Sequence, residues 1–153
     1  MARNASRYDA AADYYLLRLF QQLVGGRALA VAGDVGSGAL VHAYCARGGG
    51  GAIVVTAVNT LATPQALRLA DAASGAAIAA APRTEWVLTA PGGNLSAASP
   101  LLNGGGAPLR LGEDGSPPPT PGRAVPLGQG GVVLPPLSQG FFLLSAAGAA
   151  ACA

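Results

Sequence analysis

Between Ala12 and Gly26 apolar residues return every three or four positions. At about 100° per residue, Leu16, Leu17, Leu19, Phe20, Leu23 and Val24 share one broad arc. Arg18, Gln21 and Gln22 take the opposite arc, with Tyr14 and Tyr15 at the margins. The pattern predicts an amphipathic helix over 12–26. Asp13 is its expected N-cap, since a carboxylate there accepts from the free amides of the first turn. Gly25 or Gly26 is the expected left-handed residue that ends it. Beyond Gly26 the period drops from about 3.6 to about 2. "RALAVAG" (27–33), "GALVHAYCAR" (38–47) and "GAIVVTAVNT" (51–60) predict strands, the last two joined by a hairpin loop at Gly48–Gly51. "QALRLA" (65–70), "TEWVLTA" (84–90) and "APLRLG" (107–112) predict shorter ones, and "GVVLPPLSQGFFLLSAA" (131–147) predicts two around a Pro-Pro bend. The alanine tract 72–81 fits a helical turn or a poor strand equally. "EDGSPPPTPG" (113–122) is no interior strand, because proline offers no ladder donor. Short strands with turn signals between them predict a mainly β chain, an antiparallel β-sandwich preceded by one helix.

Composition narrows the chemistry. Of 153 residues, 51% are hydrophobic and 10% charged; much of the apolar share is alanine, so the core rests on few large side chains. The cations are all arginine, scattered from Arg3 to Arg123, and the net charge of +2 argues against a nucleic-acid face. No run reaches the roughly 20 apolar residues that span a bilayer. The segment after Met1 lacks the apolar core of a signal peptide.

Candidate catalytic groups are few. His42 alternates with Val41 and Ala43 on its predicted strand, so it is expected to point outward. Glu85 sits beside Trp86, and a carboxylate against an aromatic can have a raised pKa. A glycosidase needs a second carboxyl facing the same cleft, and no other predicted element offers one, so Glu85 reads as structural. Cys45 and Cys152 are either two buried thiols or a disulfide tying down the chain end; their spacing leaves both open and makes no metal site. "NAS" (4–6) and "NLS" (94–96) match the N-glycosylation sequon, which carries meaning only in a secreted protein. These residues by themselves supply no catalytic, cofactor or metal set.

The ordered segments do resemble a family. "DYYLLRLFQQLVGG", "VHAYCAR", "AIVVTAVNT", "RTEWVLTAPGGNLSAASPLLNG", "APLRLGEDGSPPP" and "LPPLSQGFFLLSAAGAAACA" are similar, in order from about Asp13 to Cys152, to the C-terminal region of heparanase and heparanase-like endo-β-glucuronidases of glycoside hydrolase family 79. The resemblance implies that 13–26 is the last helix of a (β/α)8 barrel. It implies a C-terminal β-sandwich at 27–153, with 1–12 a disordered lead. Leu16, Leu19, Phe20 and Leu23 would be the stripe a barrel covers; bare, that stripe predicts self-association through 14–24. The family's two catalytic glutamates lie in the barrel, and no residue here matches them. The resemblance further implies a Cys45–Cys152 disulfide and a parent that cleaves β-glucuronide linkages in polysaccharides or proteoglycans. That parent would be a secreted, lysosomal or vacuolar, or membrane-associated glycoprotein, with Asn94 as the candidate glycan site. The competing expectation is an independent carbohydrate- or protein-binding sandwich, for which aromatics at 5% and one Trp offer little platform.

Overall fold

The computed structural model describes residues 10–32, 38–70, 82–94, 97, 99–126 and 131–153. The alanine tract 72–81 and the sequon at 4–6 lie outside them. One helix, α1 (Ala12–Leu23), runs directly into β1 (Val24–Leu29), followed by β2 (Ala39–Ala46) and β3 (Ile53–Asn59). Then come β4 (Gln65–Leu67), β5 (Arg83–Thr89), β6 (Leu101–Leu102), β7 (Arg123–Val125), β8 (Val132–Leu134) and β9 (Ser138–Leu144). The main sheet has the order β1-β2-β3-β9-β5-β6, with β7 also pairing β5, and every pairing is antiparallel. β4 and β8 form a separate two-stranded sheet. The described chain is thus mainly antiparallel β with one helix.

Strand alternation divides the core between the two faces of the main sheet. Ile53, Val55, Ala57, Val87, Phe142 and Leu144 pack with Leu67, Val132 and Leu134 of the small sheet. Val54, Trp86, Leu88 and Phe141 point the other way and pack with Tyr15 and Leu19 of α1. Both faces of β3 are therefore buried, and its sequence reads as a continuous apolar run for that reason. Asn59 closes the end of β3. Its amide nitrogen donates to the carbonyls of Thr63 (2.8 Å) and Pro135 (2.7 Å), while its oxygen accepts from the Leu61 amide (2.9 Å). The β2–β3 loop is the expected glycine hairpin: Gly48 to Gly51 all have positive φ, between 68° and 103°, where side chains are disfavoured.

Several expectations change. The helix stops at Leu23, because Val24 is already extended (φ −86°, ψ 130°) and pairs with Ala46. Gly25 serves close packing rather than a left-handed cap, since a Cβ there would stand 2.9 Å from the Cys45 carbonyl oxygen. Ala11, not Asp13, is the N-cap; the Asp13 carboxylate accepts from the Tyr14 amide inside the first turn. The buried stripe is also rotated: Tyr15 and Leu19 are fully buried, whereas Leu17 is 60% exposed. The rotation follows from the bulk of Tyr15 seated among Val54, Trp86 and Phe141. Consequently α1 is no orphan, for Leu19, and partly Leu16 and Leu23, already pack on this chain's own sheet. Phe20 stays 39% exposed, edge-on to Tyr44 at 5.4 Å. The segment 107–112 forms no strand; Leu109 is buried there, its amide donating to the Pro100 carbonyl. The short β6 and β7 pair with β5 instead.

Candidate functional site

Glu85 is buried at the β5–β7 pairing, on the face of the small sheet. Its two oxygens accept from Arg83 Nε at 2.7 Å and from Arg123 Nη2 at 2.5 Å. Arg83 is itself buried and reaches the Gly131 carbonyl at the start of β8 (3.2 Å). A carboxylate held by two guanidiniums is committed to charge pairing, so its role is structural. The sequence placed these arginines far apart and gave no sign that the fold joins them. His42 is exposed on β2, as expected. Trp86 is buried, and its indole N–H donates to the Thr120 carbonyl at 2.9 Å, so it offers no sugar platform. Asp114 sits on an exposed turn, where the Ser116 hydroxyl and amide hold its carboxyl below the usual range. Among the described residues no cluster of three His, Cys, Asp or Glu is placed to hold a metal ion.

Cys45 and Cys152 form a disulfide. Around it the chain end is clamped: the Gly51 amide donates to the Cys152 carbonyl (3.1 Å) and the Ala149 amide to the Gly51 carbonyl (2.9 Å). Arg27 Nη1 donates to the Ala151 carbonyl at 2.6 Å. A penultimate residue is thereby fixed onto the β2–β3 hairpin. Asn94 is exposed just after the 3-10 turn Pro91–Gly93.

Single apolar residues are exposed elsewhere, as at Val31 and Val133, but the exposed ones that lie together are along α1. The helix covers the middle of its face of the main sheet, but β2 beside it is open at one end: Leu40 is 59% exposed and His42 is exposed, while Tyr44 on the same face is half-buried against the core. The outer side of the helix adds Tyr14 (40%), Leu17 (60%) and Phe20 (39%). Phe20 touching Tyr44 joins the two sets into one surface. At the N-terminal end of α1 this surface opens into a cleft of about 310 Å³, lined by Ala12, Leu16, Val58, Leu88, Pro100 and Gln139 among others. Of these residues the sequence marked Leu16, Leu17 and Phe20 as apolar-face positions; Leu40 and Gln139 were hidden in ordinary strand alternation. No protein-family model matches the chain, and no curated protein matches it significantly.

Proposed function

We propose that this chain is the non-catalytic C-terminal β-sandwich domain of a heparanase-like glycoside hydrolase, whose (β/α)8 barrel seats on the open face along α1. The single observation that carries the reading is the two-sided use of the helix. Tyr15 and Leu19 anchor it to the sheet, while Tyr14, Leu17, Phe20 and the neighbouring Leu40 stay exposed on one surface. A joined apolar surface of this kind normally marks an interface. The order of the sequence segments supplies the family, and the small sheet packed over the opposite face supports a sandwich. The buried disulfide suits the oxidising compartment of a secreted or vacuolar parent. In this reading the domain contributes no catalytic group; it buries the flank of the barrel and stabilises it.

Expression in trans tests the reading. A heparanase-like barrel stripped of its own C-terminal domain is made with and without this chain, and hydrolysis of an aryl β-glucuronide is measured. Activity that appears only with the chain present supports the proposal. The chain alone gives no turnover. A chain that never restores activity but is retained on a heparin column at physiological salt favours the independent binding module.

A further inference from the structure

Gln139 occupies an unusual place in the cleft. A row of paired residues crosses the helix-side face of the main sheet: Leu40 opposite Val58, Val58 opposite Gln139, and Gln139 opposite Leu88. A carboxamide thus stands between two aliphatic side chains, half-buried, on the wall of a mostly apolar cleft. Among the described residues it has no side-chain hydrogen-bond partner; Thr89, whose hydroxyl has none either, pairs with Ser138 and so alternates to the opposite face of the sheet at the cleft's edge. The other polar groups of the lining are committed: Asn59 to Thr63 and Pro135, Ser138 to Pro135, and the Thr60 hydroxyl to Gly38.

The lining defines an occupant. Among the described residues no charged one belongs to it, so an ionised group would meet no counter-charge from them. A sugar would leave most of its hydroxyls unmet. A carboxamide presents one donor side and one acceptor side, which matches the N–H and C=O of a single extended residue, since these two groups point the same way, through two parallel hydrogen bonds. A volume of 310 Å³ lies at the floor of the small-ligand range of about 300–1,000 Å³, enough for one large side chain rather than a cofactor. We infer that the cleft is an anchor pocket for a peptide: one aromatic or leucine side chain fills it, and Gln139 bonds the backbone N–H and C=O of that same residue. Because the cleft is continuous with the open face along α1, the peptide is assigned to the barrel; that source rests on the functional reading above.

The probe is N-acetyl-phenylalanine methylamide, titrated into the uniformly ¹⁵N-labelled full chain, with toluene and N-methylacetamide as half-probes. Saturable shifts at Val58, Thr89 and Gln139 are expected, stronger for the whole probe than for either half. Gln139→Leu lowers affinity for the amide probe about tenfold while keeping toluene, the loss expected for a pair of hydrogen bonds. Ala12→Trp, at an exposed position on the rim, blocks every probe. Absence of saturable shifts, or shifts that both variants leave unchanged, overturns the pocket. The same variants are then tested for binding to the barrel. A barrel that binds wild type and both variants equally overturns the barrel as the source of the peptide and leaves the domain reading standing. A barrel that never binds, while the peptide probe does, overturns the assigned source and the domain reading together.

Discussion

Replacing Glu85 with Gln keeps the volume of the side chain and removes its charge. Arg83 is 6% exposed and Glu85 3%, so the variant leaves a guanidinium in the core with one neutral acceptor in place of a carboxylate. Breaking one partner of a buried ion pair costs about 3–5 kcal/mol, and the lower end applies because the Gly131 carbonyl still accepts from Arg83. Arg123 is different: its side chain is 58% exposed, so water takes over when the pair is broken. An exposed pair is worth about 0–1 kcal/mol, and Arg123→Ala should fall near that value. For a domain of this size about 3 kcal/mol lowers Tm by roughly 6–12 °C, and about 1 kcal/mol by roughly 2–4 °C. Thermal melts followed by circular dichroism, on wild type and the two variants in parallel, read both numbers. The double variant Arg83→Met with Glu85→Leu should recover most of the loss, since the one charge it leaves without its partner, Arg123, is exposed to water. Equal losses from Glu85→Gln and Arg123→Ala would refute the reasoning, because they would mean that burial does not set the energetics of the triad.

Three further outcomes are expected. Cys152→Ser releases a clamp that closes a loop of 107 residues, and should cost about 4–5 kcal/mol in the chain-entropy account, read as a lower urea midpoint and as protease cutting near the chain end. Leu19→Ala removes a fully buried side chain and should cost about 2–5 kcal/mol, whereas Leu17→Ala, on the solvent side of the same helix, should stay within about 0.5 kcal/mol. Expressed through a eukaryotic secretory route, the chain should carry a glycan on exposed Asn94; intact mass should fall on enzymatic deglycosylation, and Asn94→Gln should lack the mass of that glycan.

The sequence made the long elements legible and hid the short ones. β2, β3, β5 and β9 each carry seven or eight residues of β-branched, aromatic or alternating character, enough for a period to show. β6 and β7 have two and three residues and are strands only because β5 offers them a free edge, a tertiary fact no local pattern records. "APLRLG" mimics a strand, yet Pro108 withholds a donor and the chain turns at Gly112, whose amide bonds the Ser116 carbonyl. The helix was visible, but its facing was not. A wide apolar arc allows several rotations, and the choice of Tyr15 over Leu17 is made by the shape of the sheet beneath. The site follows the same logic. Glu85 reads as structural and is ion-paired in the fold, while its partners Arg83 and Arg123, 40 residues apart in sequence, meet only through the β5–β7 pairing. Gln139 looks like any outward strand position until α1 is laid across its neighbours.

Affinity between this chain and a heparanase-like barrel lacking its C-terminal domain tests the central claim most directly. Isothermal titration is run with wild type and with Leu17→Glu combined with Leu40→Glu, two exposed positions on the open face, after melts confirm that both proteins fold alike. The account predicts saturable binding by wild type and a loss of at least a hundredfold in the variant, as charge enters an apolar contact. Binding of equal strength by both proteins, or none by wild type, would contradict it.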